Sequence, residues 1–132
     1  MWKGCVAASD KASRDFLAAN KDQIALMPWS SQARGFFLRA DPAFTGDAEL
    51  TRCWYSEDNF QRYARAKELA KAKGVLPIQI ALAYVLNQPF RTFPLIGPRQ
   101  ISETMSSLKG LDIKLSPAEV AYLNLEAAKA AG

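Results

Sequence analysis

Residues 74–125 read GVLPIQIALAYVLNQPFRTFPLIGPRQISETMSSLKGLDIKLSPAEVAYLNL, and this stretch carries the strongest indication of fold class. Pro77 suits the first position of a helix, and the residues after it repeat apolar side chains at helical spacing. A short apolar run at 93–96 predicts a strand, and a helix follows near 101–109. A capping box that begins at Ser116 opens a terminal helix. Strand and helices in this order favour an α/β protein with parallel connections.

The residues before this stretch predict a second strand, a loop and a long helix. Residues 24–27 form an apolar run that Pro28 stops, which favours a strand buried on both faces, although periodicity alone does not separate it from a helical segment. Residues 38–55 contain Pro and Gly breakers and predict a long irregular loop. Ser56 then caps a helix that Gly74 ends.

Composition places the chain among ordinary globular proteins. Its 132 residues are 49% hydrophobic and 23% charged, which suits a single domain over residues 1–132. The net charge is +4, but Lys and Arg are scattered, and the densest group lies on a helix at 62–73 where Ala and Glu are interleaved. We therefore expect a solvated helix face rather than a nucleic-acid partner.

The inventory of reactive side chains excludes several kinds of site. Cys5 and Cys53 are the two cysteines, too few and too far apart for a zinc pattern or a disulfide framework, and the chain has no His. We therefore expect no metal site and no catalysis by imidazole in this chain. No leader-like or membrane-spanning apolar segment is visible, so the cytoplasm is the expected location, without a membrane partner.

Two motifs carry a family resemblance. Residues 28–37, PWSSQARGFF, and residues 74–125 resemble, in the right order, the closing part of an aldo-keto reductase, an NADP-dependent (β/α)8-barrel oxidoreductase. The resemblance implies a partial (β/α)8 TIM barrel that runs roughly from the sixth helix to the last helix. Because a complete barrel takes about 250 residues, the strands of this chain would keep open edges. We expect such edges to favour self-association or a complementing N-terminal half-barrel.

The resemblance assigns the first motif to the cofactor. Trp29 would stack on the nicotinamide ring, and Ser30 with the backbone around Gln32 and Arg34 would bind the pyrophosphate. Hydroxyl and N–H donors beside a guanidinium suit a diphosphate, and barrel enzymes build their sites at the carboxyl ends of strands. Without the resemblance, a Trp after a strand is more often part of a core, and a Ser-Ser pair is more often a turn or a helix cap.

The second motif, at the end of the last predicted strand, would hold the adenosine end of the cofactor. The resemblance assigns the loop with Gly97, Pro98 and Arg99, and the helix with Glu103 and Ser107, to the 2′-phosphate and adenine. Gly97 permits close backbone approach, and a helix N-terminus favours a phosphate. Many relatives carry Gln or Arg where this chain has Glu103, so the expected cofactor is NADP(H), possibly NAD(H). The alternative is a plain strand-to-helix turn with a solvent-facing Arg.

The functional prediction is the cofactor-binding C-terminal portion of a carbonyl-reducing oxidoreductase. The Asp, Tyr, Lys and His that act in catalysis in this family come from the first half of the barrel, so no catalytic residue is assigned here. We expect the isolated chain to be inactive and a small carbonyl compound to be the substrate of the complete barrel. The alternative is a non-catalytic binding or assembly module that pairs with itself or with a separate N-terminal half-barrel.

Overall fold

A computed structural model describes residue 8 and residues 10–130, and helices dominate this part of the chain. A short 3-10 turn at Ala33–Gly35 lies directly before the second α-helix, and another at Gly110–Asp112 lies directly after the sixth. The α-helices are α1 (Lys11–Ala19), α2 (Phe36–Arg39), α3 (Ala48–Trp54), α4 (Glu57–Lys73), α5 (Pro77–Leu86), α6 (Ile101–Lys109) and α7 (Pro117–Leu123). The predicted helices that begin after Ser56, at Pro77, near 101 and after Ser116 are confirmed.

Local capping explains where the helices begin and end. The Ser56 hydroxyl accepts a hydrogen bond from the Asn59 amide at 3.2 Å, which satisfies one free donor in the first turn of α4. Gly74 ends α4 with φ +66°, a left-handed conformation that glycine adopts without steric cost. Ser116 and Glu119 form the reciprocal capping box that the sequence predicts for α7.

The main core lies where α4, α5 and α7 pack together. Helix α5 carries five consecutive buried residues, 79–83, because it is enclosed by α4, α6 and the second 3-10 turn. Ile80 is fully buried at the centre. The core consists of Ala66, Leu69, Ala70, Ile80, Ala83, Ile113, Leu115, Tyr122 and Leu123.

Where two strands were predicted, the described residues contain one isolated parallel bridge and no named strand; the bridge joins Leu26 to Thr92, the residue just before the second predicted strand. The Leu26 amide donates to the Arg91 carbonyl at 2.9 Å, and the Phe93 amide donates to the Leu26 carbonyl at 2.8 Å. The parallel direction agrees with the prediction, but the expected strands at 24–27 and 93–96 are corrected to this bridge. Pro28 and Pro94 lack the N–H that a longer ladder needs.

The two faces of the bridged segments differ. On one face, the Thr92 hydroxyl donates to the Val85 carbonyl of α5 at 2.9 Å, which ties the bridge to the helices. On the other face, Met27, Trp29 and Phe93 are each more than half exposed. Alternation of this kind is the period of an extended chain, and here one face has no covering layer among the described residues.

Residues 38–55 are more ordered than the sequence predicts. They contain the end of α2 and all of α3, so the prediction of an irregular loop is wrong for about half of its length. Helix α3 forms because the Asp47 carboxylate accepts a hydrogen bond from the Leu50 amide at 2.9 Å. Leu50 then packs with Ala33 and Phe36 in a second, smaller core.

The described helices differ in length and hydropathy from membrane-spanning ones. No single one of them is both long and apolar enough to span a bilayer, although α4 and α5, which are bent by 98° relative to each other, reach the required length and hydropathy as a pair.

Candidate functional site

The two candidate motifs begin side by side at the carboxyl ends of the bridged segments. The Pro28 carbonyl accepts hydrogen bonds from the Ser31 hydroxyl at 2.7 Å and from the Leu95 amide at 2.9 Å. We call residues 29–35 the first loop and residues 96–100 the second loop. Their shared anchor at Pro28 therefore places both loops at the same end of the bridged segments.

The first loop has an unusual backbone. Ser30, Ala33 and Arg34 have φ values of 55°, 48° and 53°, and Gly35 follows at 79°. A left-handed conformation is uncommon for a residue with a side chain and costs about 1–3 kcal/mol where the surroundings impose it. Ala33 is buried in the second core, and this packing anchors the loop to the rest of the protein. The result is an exposed Ser30 hydroxyl and a half-exposed Trp29 indole on a constrained loop.

Gln32 connects the first loop to helix α6. Its amide nitrogen donates to the Ser107 hydroxyl at 3.1 Å, and that hydroxyl donates to the Glu103 carbonyl at 2.9 Å. Ser107 is buried, so this contact is part of the packing between the two motifs. The structure therefore brings Gln32 and Ser107 together through a hydrogen bond between their side chains.

The Arg34 guanidinium forms ion pairs with two carboxylates at the start of helix α3. It lies 2.7 Å from the Glu49 carboxylate and 3.6 Å from the Asp47 carboxylate, and Arg39 also binds Asp47, at 2.8 Å. The pKa of Asp47 is lowered to about 2 by the hydrogen bond from the Leu50 amide, then by Arg39 and Arg34. Sequence reasoning missed these acidic partners because residues 38–55 read as a loop.

The second loop is open to solvent around Arg99. A Cβ placed on Gly97 would meet no atom within 4 Å, and Pro98 and Arg99 are exposed. The Arg99 backbone amide donates to the Glu103 carboxylate at 2.6 Å. Within the described chain, the Arg99 guanidinium has no hydrogen-bond or ion-pair partner, so this charge can contact a ligand.

A cavity of about 480 Å³ lies behind the first loop, between the bridged segments and helices α4 and α5. Its lining includes Trp29, Ser30, Cys53 and Trp54. Tyr84 also lines it, and burial raises the pKa of its hydroxyl, which bonds Asn124 at 3.2 Å. Cys53 is half-buried with a free thiol, while Cys5 lies outside the described residues.

Two tyrosines, a residue type that can act in acid–base catalysis, are hydrogen-bonded to neighbouring groups. Tyr55 contacts the Asp41 and Phe44 carbonyls, and the hydrogen bond to Glu68 raises the pKa of Tyr122. Within residues 10–130 no three Cys, Asp or Glu side chains are arranged to hold a metal ion. These contacts have structural explanations, and the absence of a catalytic residue from the chain stays a prediction.

Comparison with known proteins places the chain in a family. The sequence profile of the Aldo/keto reductase family matches residues 6–125, and the chain belongs to that family. It is 30% identical over 108 residues to a versiconal hemiacetal acetate reductase of Aspergillus parasiticus, which covers 76% of this chain and 31% of that protein. The family implies a (β/α)8 barrel and an oxidoreductase, and its members generally use nicotinamide cofactors.

Other relatives show the same partial coverage. The norsolorinic acid reductase stcV of Emericella nidulans is 32% identical over 99 residues, covering 74% of this chain and 25% of that protein. The uncharacterized oxidoreductase YrpG of Bacillus subtilis is 28% identical over 115 residues, covering 86% of this chain and 35% of that protein. The chain thus spans a quarter to about a third of the length of the curated relatives it matches.

The residues present fit part of a nicotinamide dinucleotide. The exposed Ser30 hydroxyl and the Arg99 guanidinium are a donor set for phosphate oxygens, and the Trp29 indole offers a flat apolar surface. Arg34 fits less well, because two carboxylates already bind its guanidinium. Glu103 places a negative charge at the first turn of α6.

Proposed function

We propose that this chain is the cofactor-binding, C-terminal portion of a carbonyl-reducing oxidoreductase that uses NADP(H), with NAD(H) as the alternative cofactor. The observation that carries the proposal is the joint anchoring of the two loops at Pro28, with the Ser30 hydroxyl and the Arg99 guanidinium both open to a ligand. The bound cofactor would supply a hydride to the carbonyl carbon of a small substrate.

The role of this chain would be to bind and orient that cofactor. Trp29 is proposed to stack on the nicotinamide ring, and Ser30 to donate a hydrogen bond to the pyrophosphate, with the backbone near Gln32. The left-handed backbone at Ser30 supports this role, since strained conformations occur at binding sites whose surroundings hold them in place. Arg99 is proposed to bind the adenosine 2′-phosphate.

The proposal assigns catalysis to the part of the barrel that lies outside this chain. We therefore expect no carbonyl reduction by the 132 residues alone. We also propose the cytoplasm as its location, because a free, half-buried thiol such as Cys53 suits a reducing compartment. No nucleic-acid partner is proposed, since the Lys and Arg residues are scattered along the sequence and are not gathered into a basic run.

Arg99→Ala provides the test. We expect the substitution to weaken NADPH binding to the purified chain about tenfold, and NADH binding far less, because it removes one charge-assisted contact to the 2′-phosphate. Binding is measured by titrating the fluorescence of the reduced nicotinamide. Lys71→Ala is the matched control, since it removes an exposed positive charge from α4. Equal losses for both cofactors would remove Arg99 from this role.

A second candidate function is a non-catalytic assembly module. The exposed apolar face formed by Met27, Trp29 and Phe93, with Leu95 at its edge, supports pairing with another copy or with a separate N-terminal half-barrel. Light scattering over a hundredfold range of concentration tests it. A chain that stays monomeric throughout, and that binds neither itself nor an added N-terminal half, would contradict this candidate.

A further inference from the structure

The cavity behind the first loop has the composition of a site for a small organic molecule. Its volume is about 480 Å³, and its lining is mainly apolar with a few polar groups, as in most small-molecule sites. Five aromatic side chains contribute to this lining: Trp29, Phe37, Trp54, Tyr84 and Phe90. Rings of this kind favour an aromatic ligand, because aromatic groups stack or pack edge to face.

Arg62 of helix α4 is the single charged residue among the described residues that line this cavity. Its side chain is 30% exposed, so the surrounding walls shield much of it from water. A positive charge in a largely apolar enclosure attracts an anion more strongly than the same charge does on an open surface. The lining therefore favours a ligand that carries a negative charge.

The Arg62 guanidinium has donors to spare for such a ligand. It donates one hydrogen bond, to the Asn59 side-chain oxygen at 3.0 Å. Its ion pair with Asp58 spans 4.0 Å, and the Asp58 side chain is 70% exposed, so solvent weakens this pair. A guanidinium has five N–H donors in a planar fork. Most of those of Arg62 have no partner within the described chain, and a fork of this kind binds a carboxylate by two parallel hydrogen bonds.

The neighbouring polar groups of the lining are engaged within the protein. Five of them donate hydrogen bonds to protein oxygens: the side chains of Ser31, Asn59, Tyr84, Gln88 and Thr92. These bonds fix the walls of the cavity. The Arg62 fork is the charged donor that remains open in it.

The positive charge of Arg62 reaches Tyr84 on helix α5. Burial raises the pKa of the Tyr84 hydroxyl, and the positive charges of Arg14 and Arg62 act against that rise. Of these two arginines, Arg14 is paired with the Glu126 carboxylate. The space between α4 and α5 is thus a favourable place for a negative charge.

We propose that this cavity is a binding site for a small aromatic carboxylate, whose rings pack among the aromatic side chains and whose carboxylate accepts hydrogen bonds from the Arg62 guanidinium. The site goes beyond the proposed function. It shares Trp29 and Ser30 with the first loop, but its charged group belongs to α4, and binding requires no nicotinamide cofactor.

Two naphthalene probes of matched shape test this proposal. 2-Naphthoate carries a carboxylate, and 2-naphthamide is its uncharged counterpart. Each is titrated into the 132-residue chain without cofactor, and calorimetry measures Kd. We expect the chain to bind 2-naphthoate about tenfold more tightly than 2-naphthamide, the effect of hydrogen bonds between charged groups. Arg62→Gln should reduce this difference to less than about twofold by weakening the binding of 2-naphthoate alone.

Lys71→Gln is the matched control, since it removes an exposed positive charge from α4 outside the lining of the cavity. We expect it to leave both affinities unchanged. The position of the probe is measured by nuclear Overhauser effects from the naphthalene protons to the methyl groups of Ala66 and Ala81, two residues that line the cavity. These effects are recorded on the original chain, so they do not depend on the folding of a variant.

Several results would overturn the proposal. Equal affinities of the original chain for the two probes would do so, as would equal losses of both in Arg62→Gln or a loss of 2-naphthoate binding in Lys71→Gln. Overhauser effects to Phe93 and Leu95 on the open face, with none to Ala66 or Ala81, would place the probe elsewhere. A folded chain that binds neither probe would also contradict it. None of these results bears on NADPH binding, so the proposed function would stand.

Discussion

The helical layer and the two loops of this chain are built in different ways. Helices α4, α5 and α7 bury their apolar side chains against one another, and Ile80 at their centre has no exposed surface. The bridged segments and loops keep one face open, where Met27 and Trp29 are more than half exposed. The helical layer therefore obtains its packing from within the described residues, whereas the loops leave groups available for additional contacts.

Hydrogen bonding in the two regions differs in the same direction. In the helical layer, Arg65 donates to the Tyr122 carbonyl at 2.5 Å and to the Ala127 carbonyl at 2.7 Å, so even its charged groups fasten one element to another. In the second loop, the Arg99 guanidinium has no such partner among the described residues. Polar groups left open at a rigid edge are what a ligand-binding site requires.

The largest expected effect is a loss of stability when a side chain of the helical layer, rather than one on the open face of the bridged segments, is truncated. Ile80→Ala should lower the free energy of unfolding by about 2–5 kcal/mol, because it leaves a cavity in a fully packed core. Met27→Ala should change it by less than about 0.5 kcal/mol, since that side chain is exposed. Urea unfolding followed by circular dichroism measures both. Similar losses for the two variants would show that the open face is buried in solution.

A smaller loss of stability is expected when the N-cap of helix α7, in the helical layer, is removed. Ser116→Ala removes the acceptor of the Glu119 amide and should cost about 1 kcal/mol of unfolding free energy. Ser102→Ala, in the exposed first turn of α6, is the comparison and should be nearly neutral. If Ser116→Ala left the free energy of unfolding unchanged, the stability of the helical layer would not depend on this cap.

The smallest effect concerns pH and the network that joins α3 to the first loop. The pKa of Asp47 is lowered to about 2 from 3.8, so its ionised form stabilises the folded chain above pH 3.8, and this contribution is lost as the pH falls through 2. Asp47→Asn should therefore be less stable than the original chain at neutral pH and should approach it near pH 2. Unfolding midpoints across this range measure the difference.

Asp112→Asn serves as the control for this pH dependence, because it changes an exposed carboxylate on the second 3-10 turn. A constant gap between the original chain and Asp47→Asn at every pH would show that the charge of Asp47 has no part in holding α3, contrary to this prediction.

The sequence predicted the helical layer better than the bridged segments and the two loops. Ser56, Pro77 and Ser116 mark helix starts through local chemistry, and those helices are where the patterns place them. The strands were overestimated because a ladder needs neighbouring segments, and residues 24–27 meet one partner for a single bridge. Local signals suffice for a helix, but pairing depends on what surrounds a strand.

At the candidate site too, the local motifs were predicted from sequence, whereas contacts that depend on packing were not. The two motifs were identified from sequence, and the structure brings them together through Gln32 and Ser107. The binding of Arg34 by Asp47 and Glu49 was not predicted, because it depends on where α3 packs. The Asp47 cap was a usable local signal, but the breakers Pro42 and Gly46 nearby favoured the interpretation of a loop.

Whether the two loops form a cofactor-binding surface is best tested by mapping NADPH binding on the chain through amide chemical-shift perturbation. We expect saturable shifts at residues 29–32 and 97–103, the two loops and the first turn of α6, with the α4–α5 core unchanged. Shifts confined to other surfaces, or no shifts from a folded chain at millimolar NADPH, would contradict the assignment of the cofactor to these loops.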